Sequence, residues 1–138
     1  MSDVIRFGVS LEKGLLDKFD RYIRKRKWAS RSDALRDLIR AELVKKEWTE
    51  GDEVAGAVTL IYDHHHKDML GRLTDLQHDY QRLMLSTLHI HLDHDHCLEI
   101  IAVKGNPAEI QKLAETLRTI QGVKHGTLTM SATGRNLG

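Results

Sequence analysis

The chain has 138 residues, 41% hydrophobic and 30% charged, with a formal net charge of +1, an ordinary balance for a globular protein of one domain or two small ones. No apolar run approaches the roughly 20 residues that cross a bilayer, no basic region followed by an apolar block opens the chain, and a lone cysteine excludes an internal disulfide, so a cytoplasmic protein is expected. The small net charge conceals a division: Met1 to Glu50 holds 13 Lys and Arg against 9 Asp and Glu, while the remainder holds 8 against 11 and all nine histidines, which predicts two modules with different partners, the basic one binding a polyanion.

Val4 to Ser10 alternates, with Ile5, Phe7 and Val9 on one face and Arg6, Gly8 and Ser10 on the other, which predicts one short strand. From Glu12 to about Arg26, Leu15, Leu16, Phe19, Tyr22 and Ile23 keep helical spacing. Ser30, followed three residues later by Asp33, is the N-cap of a second helix whose stripe is Leu35, Leu38, Ile39 and Leu43. A head of about 45 residues with a single strand cannot bury enough surface to fold alone, and the strand edge needs a partner. Dimerisation is therefore expected, with two strands forming an antiparallel ribbon that turns Arg6, Gly8 and Ser10 outward. Such ribbons can enter the DNA major groove. The amides near Ser30, Arg31 and Ser32 could hold a phosphate at the helix N-terminus.

Lys45 to Asp52 is polar and reads as a short linker between domains at 1–47 and 52–134. Beyond it, Val54 to Tyr62 reads as a strand and Lys67 to Leu85 as a helix. Ser86 to Leu92 and Cys97 to Val103 form two strands of a hairpin. Asn106 and Pro107 open a helix at its N-cap and first position, Gly122 ends it, and Val123 to Met130 forms a last strand. This order, βαββαβ, predicts a ferredoxin-like domain and an α+β class for the whole chain.

The chemistry concentrates in Thr87 to Glu99. On a strand His89 and His91 share one face while Leu88, Ile90 and Leu92 share the other. If the chain reverses around His94, Cys97 lands opposite His91, and two imidazoles converge with a thiolate. That set suits nickel, copper, zinc or cobalt and argues against magnesium and calcium. Glu99, two residues beyond Cys97 on the same face, could orient a ligating imidazole. Asp93, His94, Asp95 and His96 belong to the turn. Asp63 with His64, His65 and His66 reads as a loop cluster of nonspecific metal affinity, with a weaker extra metal site as the alternative. His78 points away from its helix's apolar stripe of Leu73, Leu76 and Tyr80. Asp33 and Asp37 lie at i and i+4 on one helix face. No Gly-rich phosphate loop or catalytic triad is specified, so an enzyme is not expected.

Through Ile5 to Leu11 and the run Arg31-Ser32-Asp33-Ala34-Leu35-Arg36, the head resembles the ribbon-helix-helix repressors; Gly8 departs from the hydroxyl or amide side chain common at the middle reading position. With Gln77-His78, Thr87-Leu88-His89-Ile90-His91 and Asp95-His96-Cys97-Leu98-Glu99-Ile100 added, nearly the whole chain resembles the nickel-responsive transcriptional repressors (NikR). The resemblance implies a ribbon-helix-helix domain followed by an ACT-like metal-binding and tetramerisation domain, a homotetramer built as a dimer of dimers, and a palindromic double-stranded operator. It further implies a square-planar Ni(II) site made by His89, His91 and Cys97 of one chain and His78 of a neighbour, an interdomain cation at Asp33 and Asp37, and control of nickel uptake. The competing readings are a metal-storage or small-ligand module whose basic head binds another protein, and a metalloenzyme. A closed four-ligand site disfavours the last, because it leaves no place for substrate.

Overall fold

The structure, a computed structural model, describes residues 3–138; Met1 and Ser2, the first two residues of the expected head, lie outside the described residues. Residues 3–12 form no strand in the single chain, and Val4, Ile5 and Phe7 are 89%, 82% and 75% exposed. The reason lies in the ladder. A strand is defined by a neighbour that accepts and donates its hydrogen bonds, and one chain supplies none.

The head continues with α1 (Lys13–Arg26) and α2 (Arg31–Glu50). Ser30 caps α2, its Oγ accepting from the Asp33 amide at 3.1 Å. Arg31 ties the two helices together through Nε and Nη2, which donate to the Asp20 carboxylate at 3.0 and 2.9 Å. Among the described residues before Val44, only Ile23 and Ala34 are buried, and an open apolar groove is lined by Phe7, Val9, Leu15, Phe19 and Leu35. So small a core buries little of the head's apolar surface.

The expected linker at Lys45 to Asp52 is not one. Helix α2 runs on to Glu50, and its last turns bury Trp48 in the core of the second half. The Trp48 indole N–H donates to Ser131 O at 2.6 Å, while the Arg40 Nε–H and Asn136 Nδ2–H groups tie α2 to the C-terminal residues through Leu137 O and Glu47 Oε1. Polar residues facing water on one side of the helix had masked a single apolar anchor on the other.

The second half consists of β1 (Val54–Asp63), α3 (Met69–Asp79), β2 (Met84–His91), β3 (His96–Gly105), α4 (Pro107–Arg118) and β4 (Val123–Met130). These strands form one antiparallel sheet in the order β2-β3-β1-β4, which is the ferredoxin-like topology. Alternation decides its faces. Val54, Val58, Leu60 and Tyr62 of β1 and Cys97, Glu99, Ile101 and Val103 of β3 are buried on one face, against Met69 and Leu73 of α3 and Ile110, Leu113 and Leu117 of α4. Among the described residues nothing forms a covering layer on the opposite face, and Leu88 and Ile90 stand 55% and 38% exposed on it.

Helix α3 is shorter than its periodicity predicts. It stops at Asp79, and Tyr80 to Leu83 turn the chain into β2 while Leu83 still reaches the core. Asn106 caps α4 by accepting from the Ala108 and Glu109 amides, with Pro107 at the first position. Gly122 adopts a φ of 104° in the turn to β4, a conformation that a side chain would strain. Among the described residues no helix is long and apolar enough to cross a membrane.

Candidate metal centre

Edge strand β2 and its neighbour β3 set the centre. Their ladder pairs His91 with Cys97 and His89 with Glu99, all four on the buried face but at its open edge. Cys97 is fully buried, whereas His89 and His91 are exposed along the sheet edge. The Cys97 Sγ lies 3.4 Å from His91 Nδ1 and 3.7 Å from His64 Nδ1. Neighbouring donors on a four-coordinate ion, with bonds of about 2.3 Å to sulfur and about 2.0 Å to nitrogen, stand about 3 to 3.5 Å apart. The spacing therefore fits a coordinated ion, and a donor set of thiolate and imidazoles fits nickel, copper, zinc or cobalt.

His64, from the loop after β1, joins His91 and Cys97 in one group whose donor atoms all lie within 4.8 Å of one another. The sequence had marked it only as part of a loop run. Its one signal was its position immediately after β1, whose Tyr62 pairs with Cys97. His89 is turned differently. Its Nδ1 lies 2.8 Å from Glu99 Oε2 and 2.8 Å from the Tyr62 hydroxyl, and its ring centroid is 5.1 Å from that of His91. With the proton on Nδ1 donated to the Glu99 carboxylate, the lone pair sits on Nε2 and is free for a metal.

The electrostatics follow from burial. It pushes the Cys97 thiol above its ordinary value, against a hydrogen bond with Tyr62 that works the other way. Burial also raises the Tyr62 phenol strongly, helped by the nearby Glu99 and Cys97 charges, so Tyr62 stays protonated as a hydrogen-bonding group. Forming the thiolate thus needs a cation to stabilise it.

The remaining candidates fall elsewhere. His78 is exposed in the last turn of α3 and is not among the clustered donors of its own chain. Arg6, Gly8 and Ser10 are exposed, and Ser32 is exposed at the start of α2. Arg31 is engaged with Asp20, whose carboxyl this guanidinium holds below the usual range. Asp33 accepts from the Ser30 hydroxyl and from Arg36, while Asp37 accepts from the Trp28 indole at 2.7 Å, so the two carboxylates serve separate local bonds. His96 is held between Asp93 and Lys124 at the mouth of the hairpin.

Comparison with known proteins agrees with both halves. The family described as NikR C terminal nickel binding domain matches residues 55–131, and the family described as ribbon-helix-helix protein, copG family, matches residues 5–46. A protein of Syntrophus aciditrophicus (strain SB) is 59% identical over 135 residues, covering 98% of each chain. One of Chlorobium phaeobacteroides is 55% identical over 132 residues, 96% of this chain and 98% of its own. One of Nitratidesulfovibrio vulgaris (strain DSM 19637 / Miyazaki F) is 47% identical over 138 residues, 99% of each. All three carry the name "Putative nickel-responsive regulator".

Proposed function

Since the chain belongs to the family of nickel-responsive regulators, we propose that it is a Ni(II)-dependent repressor that binds a palindromic operator through paired N-terminal strands and controls nickel uptake. The observation that carries this reading is the buried Cys97 facing His91 across the β2–β3 ladder, beside His89 held by Glu99. A thiolate with imidazoles is chemistry for a borderline metal, and the domain that holds it shares helix α2 with the basic head.

In this reading His89, His91 and Cys97 hold Ni(II) together with His78 of the partner subunit. Exposed His78, directed away from its own core, supports a donor given to another chain. His64 stands close enough to Cys97 to serve as a donor in its own right. The uncovered apolar sheet face with Leu88 and Ile90, and the open groove of the head, support a homotetramer built as a dimer of dimers in the cytoplasm. Arg6, Gly8 and Ser10 of two paired strands read the operator, with Arg31 and Ser32 near its phosphates; Asp33 and Asp37 would hold an interdomain cation only after giving up their present partners.

An electrophoretic mobility shift on palindromic DNA from upstream of a nickel-uptake gene tests the reading. Retardation should require Ni(II) and vanish with chelator. Equal binding with and without the metal would overturn it.

A further inference from the structure

Beyond β4, residues 131–138 form neither helix nor strand, yet they run back along α2, the helix shared with the head. The Ser131 amide donates to Ala55 O at 2.9 Å, which keeps the start of the segment on the sheet. Three further bonds then climb the helix. The Trp48 indole N–H donates to Ser131 O at 2.6 Å, the Asn136 Nδ2–H to Glu47 Oε1 at 3.3 Å, and the Arg40 Nε–H to Leu137 O at 3.2 Å.

The spacing on α2 is that of one face. Arg40, Val44, Glu47 and Trp48 stand at i, i+4, i+7 and i+8, and Val44 and Trp48 pack on the core of the metal domain. From Trp48 to Arg40 the helix rises about 12 Å, or about two turns, and the segment follows it over that length. Leu137 is half-buried although Arg135, Asn136 and Gly138 beside it are exposed. Gly134, at a φ of 94°, supplies the bend before Asn136, in a conformation that a side chain would strain. Segments without regular structure are usually the loosely held ones, whereas this one is tied to a helix that belongs to both domains.

Held only at Trp48, α2 could pivot in its last turns. Arg31, at its other end, lies about 26 Å along the axis, so a small pivot would swing the head through several ångströms. The attachment at Arg40 removes that freedom. We propose that residues 131–138 are a strap that holds α2, and with it the head, in a fixed orientation on the metal domain. The strap is made of exposed hydrogen bonds that water can replace, so it opens more readily than the core beneath it. Its part in regulation rests on the repressor reading above: a stiff joint passes the arrangement of the metal domains on to the heads, and a loose joint averages it away.

Hydrogen exchange followed by mass spectrometry, on the full chain, on a chain ended after Ala132 and on Gly134→Val, tests the proposal. Ending after Ala132 keeps the Trp48 bond to Ser131, and Gly134→Val strains the bend while removing none of the bonded groups. Amides of α2 between Arg40 and Glu47 should exchange about fivefold faster or more in both variants, with β1 and β3 unchanged. Nickel affinity should stay within about twofold, while the gain in operator affinity that Ni(II) brings should shrink by about threefold or more. Unchanged exchange along α2 in both variants overturns the strap, whether or not the protein binds DNA. Faster exchange with an undiminished nickel-dependent gain overturns its part in the regulation. A parent whose operator binding ignores Ni(II) overturns the repressor reading, whereas the strap is still decided by the exchange.

Discussion

His91 and Cys97 are direct partners across an antiparallel ladder, with Nδ1 and Sγ 3.4 Å apart. Because only a short turn separates them in sequence, the register of the hairpin alone fixes which of these side chains face each other. Tyr62, paired with Cys97 from the other side, and Glu99, paired with His89, then add the hydrogen bonds that orient the neighbouring imidazole. The centre is thus built on strands, with loops contributing only His64.

Glu99→Gln removes the carboxylate that fixes the His89 tautomer. Nickel affinity should fall by about 10-fold to 100-fold, as it does when an outer partner of a ligating imidazole is lost. Isothermal titration calorimetry would show it, and an unchanged affinity would mean that Glu99 serves only the fold.

Binding of Ni(II) should strengthen as pH rises. Burial holds the Cys97 thiol protonated at neutral pH, so coordination releases that proton, and apparent affinity should climb about tenfold per unit between about pH 7 and pH 8. On acidification affinity falls further and more steeply, because the imidazoles then compete for protons as well. In Cys97→Ser the remaining affinity should be weaker and its slope over the same range much flatter.

Arg6→Ala should weaken operator binding by about 1 to 3 kcal/mol if Arg6 reaches a base edge, and less on unrelated DNA. Fluorescence anisotropy at fixed salt would measure both. Loss of equal size on specific and nonspecific DNA would reassign Arg6 to the phosphates.

His78→Ala should separate metal binding from its effect on DNA. Metal would still be held weakly through the donors of one chain, but saturating Ni(II) should no longer raise operator affinity by the usual allosteric coupling of about 1 to 3 kcal/mol. Linkage gives a cross-check in the parent, where operator must raise nickel affinity by the factor that nickel raises operator affinity. A saturated variant that binds operator as tightly as the loaded parent would place the coupling in α2 and its Trp48 anchor instead.

Trp48→Ala should cost about 3 to 5 kcal/mol of the second domain's stability, read by urea denaturation, because it empties a buried site and strands the Ser131 carbonyl. Trp48→Phe, which keeps the ring volume in large part, should lose less. Equal losses would point to the indole hydrogen bond as the main contribution.

Side-chain parity along single elements could be read without coordinates. Leu88 and Ile90 against His89 and His91, the Asn106 and Pro107 opening of α4, and the βαββαβ order all follow from periods of 2 and 3.6, which are local properties of the backbone. Local rules also misled in two places. The charges of Lys45 to Asp52 hid a helix that one residue, Trp48, anchors in a distant core, and Leu83 kept helical spacing although the chain had already turned at Tyr80. The strand expected at Val4 to Ser10 is written in alternation but forms no ladder in the single chain, since a ladder needs a neighbouring edge and alternation supplies none. Parity also placed Glu99 to orient an imidazole, whereas tertiary structure alone decided that His64 faces Cys97, that His65 faces His94 and Asp95, and that the Tyr62 hydroxyl reaches His89. Loop residues follow no period, and a contact between positions 33 apart, such as that of His64 with Cys97, exists only once the strands between them have paired.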